Sequence, residues 1–212
     1  MSTASWNLIC LHGAGTGPWC FDDWNRDLPT WNVRAPDLLQ DLNVATATMT
    51  DYANAAVRAA ADFDDVVLCG WSMGGLVALM AASVAMPAAI VVLEPSLPAE
   101  LQGFHPGVVP NIGTFDPADV NGAARGGPTT RLESSFARDE RRRGISVPSI
   151  TVPLLVVSGK TYAETRGGPV ADFYGADLIE FPHLHHVALV QEREVRTAIG
   201  AWLSQPATRP QR

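Results

Sequence analysis

The feature that most constrains this chain is the run Gly70-Trp71-Ser72-Met73-Gly74, because of what stands on either side of it. Residues 66–69 are uniformly apolar, the pattern of a strand buried on both faces. Residues 73–85, rich in Ala, Leu and Met, predict a helix. A Gly-x-Ser-x-Gly run between strand and helix holds its serine on a tight, strained turn, with the hydroxyl presented at the sheet edge. Positions 70 and 74 take glycine because neighbouring backbone crowds them. The helix start aims free N–H groups and a positive dipole end at the same point. Ser72 is therefore the candidate nucleophile, and Gly75 adds a further small residue to the turn.

The rest of the chain agrees with a strand–helix alternation. Short apolar runs at 7–11, 32–35, 66–69, 90–93, 154–157 and 177–181 read as strands. Helical patterns lie between or after them at 50–62, 73–85 and 187–203, with Thr50 or Asp51 as the expected cap of the first. This order predicts a parallel sheet wrapped by helices, in a single domain spanning 1–212. Residues 96–152 break the alternation. They open with a Gly- and Pro-rich stretch (103–128) and continue as a charged helix over 130–143. An insertion of that length between two strands is expected to cap their C-terminal edge. Arg138 and Arg141 to Arg143, interleaved with Asp139 and Glu140, read as a solvated face of that helix. The tail after Gln205 reads as frayed.

Composition narrows the function class. The formal charge of −7 argues against a binder of nucleic acid, which needs a basic face, and against anionic membrane surfaces. No apolar run approaches the roughly 20 residues of a membrane span, and the N-terminus lacks a leader pattern, so a cytoplasmic location is expected. Cys10, Cys20 and Cys69 are an odd number without framework spacing and read as buried free thiols.

Directly after the first strand comes Leu11-His12-Gly13-Ala14-Gly15. Its glycines let the chain cross the top of the sheet and offer a backbone N–H toward Ser72. The N–H groups of Ala14 and Met73 together form a candidate oxyanion hole. His12 reads as a residue that holds this loop.

With these pieces in place the chain resembles an α/β-hydrolase from Asn7 to Leu203, with the His-Gly loop, the nucleophile turn and a late histidine in the family's order. Within that group it is similar to small esterases related to pimeloyl-carrier methyl ester hydrolases and plant methylesterases. The family usually opens with an antiparallel hairpin, for which there is no room before Asn7. The resemblance therefore implies a trimmed α/β-hydrolase fold of about six parallel strands, helices on both faces, and a short cap between the fourth and fifth strands.

The resemblance also implies a base just past the last strand, in Phe181-Pro182-His183-Leu184-His185-His186. His186 matches the family position, ahead of His185 and His183; a zinc site in this cluster lacks convincing partners. The family's usual aspartate after the fifth strand is missing, since the sequence there reads Ser158-Gly159-Lys160-Thr161-Tyr162. Glu94, in Leu93-Glu94-Pro95, is the favoured acid because a strand end followed by proline fixes a carboxylate well. Glu164 is the alternative, with Asp172 and Asp177 behind it. Trp71, Gly13 and Trp19 are expected at the substrate.

The reading that follows is a serine hydrolase cleaving an ester or thioester of a small, mainly apolar substrate through an acyl-enzyme, without metal or organic cofactor. A lyase or cyclising enzyme that uses serine and histidine for proton transfer stays open, as does a ligand-binding protein with a vestigial triad.

Overall fold

The computed structural model describes residues 6–117 and 131–205. Six strands form one sheet: β1 (Asn7–Leu11), β2 (Asn32–Arg34), β3 (Val66–Trp71), β4 (Ala89–Leu93), β7 (Leu154–Gly159) and β8 (Asp177–Phe181). Their order is β2-β1-β3-β4-β7-β8, and every pairing is parallel. The chain starts in the middle, winds outward to β2, then crosses to β3 and winds the other way. β1 and β3 therefore flank a point where the connections diverge, and the crevice at their C-terminal ends is where such sheets hold ligands.

Side chains alternate across the sheet, so each strand feeds two cores. Ile9, Leu11, Leu68, Ile90, Val92 and Val156 point to one face. There they meet helices α2 (Met49–Ala60) and α3 (Met73–Ala85). Leu8, Cys10, Val67, Cys69, Val91 and Val157 point to the other, against Trp24, Leu189, Val195 and Trp202. Covering both faces of a parallel sheet is what makes its strands uniformly apolar, and every residue of β3 is buried. The three cysteines are buried and free.

Two expectations about the helices are corrected. The cap of α2 is Thr48, not Thr50 or Asp51; Asp51 instead closes a capping box by accepting the Thr48 N–H while its own N–H meets the Thr48 hydroxyl. After the loop that follows β1 the chain forms a 3-10 turn, Pro18–Phe21, and then a single helical turn, α1 (Trp24–Asp27). The last helix is broken at Glu192 into two pieces, Ala188–Gln191 and Arg193–Leu203. The break is held by buried donors. Arg196 donates to the Val190 and Gln191 carbonyls, and the Trp24 indole N–H also reaches Val190.

The segment 96–152 carries helix α4 (Ala99–Gln102), a short antiparallel pair, β5 (Thr114–Phe115) with β6 (Glu133–Ser134), and helix α5 (Ser135–Arg143). Helix α5 starts at Ser135, five residues beyond the start read from sequence, with Ser134 as its N-cap; residues 118–130, including the end of the Gly- and Pro-rich stretch, lie outside the described residues, as does the chain after Gln205. Ala137 and Val147 of this segment join the α2–α3 core. Its strand β6 passes over the loop after β1, where the Arg131 N–H donates to the Gly15 carbonyl at 2.7 Å. Among the described residues no helix is long and apolar enough to cross a membrane.

Candidate active site

Ser72 sits between β3 and α3 with φ 56° and ψ −116°, a backbone conformation that costs a non-glycine residue about 1–3 kcal/mol. It is held there from three sides. Its N–H donates to the Leu93 carbonyl at 3.0 Å, and its carbonyl accepts the N–H groups of Gly75 at 3.0 Å and Ser96 at 2.9 Å. The flanking glycines follow from the same crowding. A Cβ on Gly70 would lie 2.1 Å from the Gly74 carbonyl oxygen, and one on Gly74 would lie 2.0 Å from the Leu11 oxygen. The turn thus wedges against β1, and Gly13 comes within van der Waals reach of Ser72: a Cβ placed there would sit 3.3 Å from the serine Cβ.

The loop after β1 is locked by His12. Its Nδ1 lies 2.9 Å from the Gly13 carbonyl, and its Nε2 accepts the Leu38 N–H at 3.1 Å. An acceptor at Nε2 puts the ring proton on Nδ1, so a neutral, fully buried imidazole ties the loop to the chain beyond β2. Ala14 follows at the bend. Among the described residues neither the Ala14 nor the Met73 N–H has a protein acceptor, and both belong to turns packed against Ser72.

Beyond β8 the three histidines separate. His183 is exposed and lies 2.7 Å from Glu194; His185 is exposed. His186 alone turns inward, and its Nδ1 is 2.6 Å from Oε2 of Glu94. Glu94 is fully buried at the end of β4, itself with φ 40°. Its other oxygen accepts the Gly159 N–H at 2.8 Å and the Tyr162 N–H at 3.1 Å. The loop after β7 therefore supplies amide donors to an acid from β4. Glu164, the alternative acid, sits exposed in the turn Ala163–Gly167 and has no contact with His186 among the described residues.

Electrostatics fit the pairing. Burial pushes the Glu94 carboxyl upward, but the imidazole and the two backbone donors outweigh it and leave its pKa lowered. An ionised carboxylate has only acceptors, so the Nδ1 of His186 carries the proton and its Nε2 is left with a free lone pair. For His186 burial is the largest influence and lowers its pKa, against the pull of Glu94; the nearby Arg166 charge acts in the same direction as burial. The ring is a neutral base at pH 7.

Trp71, expected at the substrate, is only 4% exposed. Its indole N–H donates to the His186 carbonyl at 3.1 Å, and its ring packs 5.0 Å from the imidazole. It supports the histidine from below. Trp19 is 37% exposed, with the Arg131 guanidinium 5.5 Å over its ring.

Sequence reasoning did not find Glu133, Tyr52, Tyr162 or Arg166. The fully buried Glu133 accepts the Gly15 N–H at 3.0 Å on one oxygen; the other takes the Tyr52 hydroxyl and the Ser134 N–H. Tyr162 stands edge-on to His186 at 5.0 Å, with Arg166 stacked on its far face at 3.8 Å. Tyr52 falls on the core face of α2, where a lone polar aromatic was the one available signal.

Residues 8–201 match the model of the Alpha/beta hydrolase family. No curated protein matches the chain. Among solved structures, the chain is similar to a thermophilic esterase from Thermogutta terrifontis, at 17% identity and TM-score 0.68, covering 95% of this chain and 90% of that one. It is similar to polyneuridine aldehyde esterase at 16% identity and TM-score 0.67, covering 94% and 99%. It is also similar to RedJ, a thioesterase from the prodiginine biosynthetic pathway in Streptomyces coelicolor, at 19% identity and TM-score 0.60, covering 96% and 93%. At these identities the likeness is one of fold.

Proposed function

Because the chain belongs to the Alpha/beta hydrolase family, we propose that it is a serine hydrolase acting on a carboxylic ester or thioester of a small, mainly apolar substrate. The observation that carries this reading is the hydrogen-bonded pair His186–Glu94 at the strand ends next to the strained Ser72 turn. The fold shared with esterases and a thioesterase supports it.

In this reading the Nε2 of His186 takes the Ser72 hydroxyl proton as the oxygen attacks the carbonyl carbon. The N–H groups of Ala14 and Met73 receive the negative charge that develops on the carbonyl oxygen; one such donor is worth about 2.7–4 kcal/mol of barrier. Imidazolium returns the proton to the departing alcohol or thiol. Water then repeats the sequence on the acyl-enzyme, and the acid leaves. Glu94 fixes the imidazole tautomer and balances the charge that the ring acquires. Gly13 lets the Trp71 ring and Ser72 pack against the loop after β1, where a Cβ would meet the indole at 2.9 Å, and the part-exposed Trp19 is the proposed substrate contact from that side.

The test is Ser72→Ala against a panel of short acyl p-nitrophenyl esters, with fluorophosphonate labelling of the unaltered protein. Hydrolysis should fall by about 10⁴-fold or more, and the label should map to Ser72. Hydrolysis retained by the variant would refute the assignment.

A further inference from the structure

The charged helix α5 does not present a uniformly solvated face. Arg142 and Arg143 are exposed, but Arg141 turns inward. Its guanidinium rests on the sulfur of the buried Met49, with Nη1 3.6 Å from Sδ, and burial lowers its pKa. From the opposite side of the site comes Arg166, half-buried, its guanidinium stacked at 3.8 Å on the Tyr162 ring. That ring is the one edge-on to His186, so Arg166 lies one aromatic ring away from the imidazole. The Arg166 charge is one of the influences that lower the Arg141 pKa, after burial.

The neighbouring arginines are accounted for. Arg131 pairs with Asp37, and both Arg138 and Arg142 reach Asp139, at 3.1 and 3.6 Å. Arg141 and Arg166 have no carboxylate within ion-pair distance among the described residues. The acids they feel are committed elsewhere. Glu133 is saturated by Tyr52, Gly15 and Ser134, Glu94 by His186, Gly159 and Tyr162, and Glu140 accepts the Met49 N–H. Nor are the guanidinium nitrogens sealed in the core, since the one buried side-chain nitrogen without a partner among the described residues is Nε of Arg131. Arg166, stacked on the ring beside the base, and Arg141, resting on Met49, are thus part-desolvated cations whose remaining donors are open to an anion. Guanidinium forks match the geometry of a carboxylate.

We propose that Arg141 and Arg166 form an anion subsite of the Ser72 site, and that the substrate carries a carboxylate in addition to the bond that is cleaved. The inference rests on the hydrolase reading. It refines the apolar substrate to one with an apolar body and an anionic end. Arg166 beside His186 also gives the bound carboxylate a fixed place relative to the reacting carbonyl, which limits the acceptable chain length.

Two matched substrate pairs test it. p-Nitrophenyl hemiglutarate against p-nitrophenyl valerate places the charge on the acyl side. Butyryl glycolate against propyl butyrate places it on the alcohol side. The unaltered protein should prefer the anionic member of one pair in kcat/KM. The ratio within that pair should fall about 10- to 100-fold in Arg166→Gln and Arg141→Gln, mostly through KM. Arg141→Lys, which keeps the buried charge, should retain part of it. Equal use of both members in both pairs would overturn the proposal, as would a ratio unmoved by the variants. If none of the four esters is turned over, the hydrolase reading fails on its own. Calorimetric titration of glutarate then still decides the subsite. Binding that weakens at least tenfold in both glutamine variants supports it, and no binding to the unaltered protein overturns it.

Discussion

Two fully buried glutamates stand on opposite sides of Ser72, and they are built alike. Glu94 gives one oxygen to scaffold amides, Gly159 and Tyr162, and the other to His186. Glu133 gives one oxygen to Tyr52 and the Ser134 amide, and the other to the Gly15 amide, next to the proposed oxyanion donor Ala14. Each anchors half of itself in the frame and holds out the other half to a loop at the site. The difference lies in what is held. In the proposed mechanism the imidazole changes protonation during turnover, whereas a backbone amide only has to stay where it is. Burial of a carboxylate therefore marks position, and the partner decides whether it also tunes chemistry.

The largest effect should come from Glu94. In Glu94→Gln the Nδ1 proton of His186 loses its carboxylate acceptor, so kcat should drop about 10³- to 10⁴-fold in steady-state ester hydrolysis. The pH dependence adds a second readout. Glu94 raises the His186 pKa, against burial, so its removal should move the acid limb of the kcat/KM profile to lower pH. A loss of less than tenfold, with the limb unmoved, would place Glu94 with Glu133 as scaffold.

Glu133 should behave in the opposite sense. Glu133→Ala leaves the Gly15 amide and the Tyr52 hydroxyl without their acceptor, at about 1–3 kcal/mol for each buried group, visible in urea unfolding. With the oxyanion loop loosened, kcat should fall about 10- to 100-fold while the acid limb stays in place. Glu133→Gln keeps one acceptor but turns its NH2 on a backbone N–H, so it should recover only part of the rate. A shifted limb in Glu133→Ala would mean that its charge reaches the base, and the two-sided contrast would collapse.

The contrast also explains what could be read in advance. Glu94 was legible because it ends an apolar strand and precedes a proline, and strand ends on one edge of a parallel sheet must converge. The six strands were legible for a related reason: burial on both faces leaves an unbroken apolar run. Glu133 carries no such mark. It belongs to a two-residue strand whose pairing with Thr114 and Phe115 spans a long sequence gap, and no local periodicity announces that. Trp71 shows the limit from another direction. Sequence placed it beside Ser72 correctly, yet strand alternation sends its side chain into the core below the histidine. The break at Glu192 was hidden because it depends on where Arg196, within the run read as one helix, and Trp24, far outside it, send their donors.

A smaller effect is expected at the outer edge of the Glu133 side, where Arg131 holds Asp37. The Arg131 guanidinium, bonded to both carboxylate oxygens, lowers the Asp37 pKa well below the ordinary carboxylate range. With its folded pKa depressed, the carboxylate contributes stability that is complete above the unfolded pKa, about 3.9, and is lost as the pH falls toward the folded value. Glu94, also lowered, acts in the same window. Urea midpoints measured from pH 7 downward should thus decline below about pH 4. Asp37→Asn should flatten part of that decline. An Asp37→Asn curve parallel to that of the unaltered protein would show that the pair is screened to nothing.

The smallest effect isolates the Tyr52–Glu133 bond from the rest of the brace. Tyr52→Phe removes one hydroxyl and little volume, so the core packing of α2 persists while Glu133 keeps the Ser134 and Gly15 amides. The loss should be about 0.5–1.5 kcal/mol in urea unfolding, with kcat changed less than in Glu133→Ala. Combining Tyr52→Phe with Glu133→Gln closes a double-mutant cycle, because the two side chains share the bond under test. A coupling energy near the single-mutant loss of Tyr52→Phe means the hydroxyl acts through Glu133. A coupling near zero means that Tyr52 stabilises α2 by packing alone, and that Glu133 holds the oxyanion loop without it.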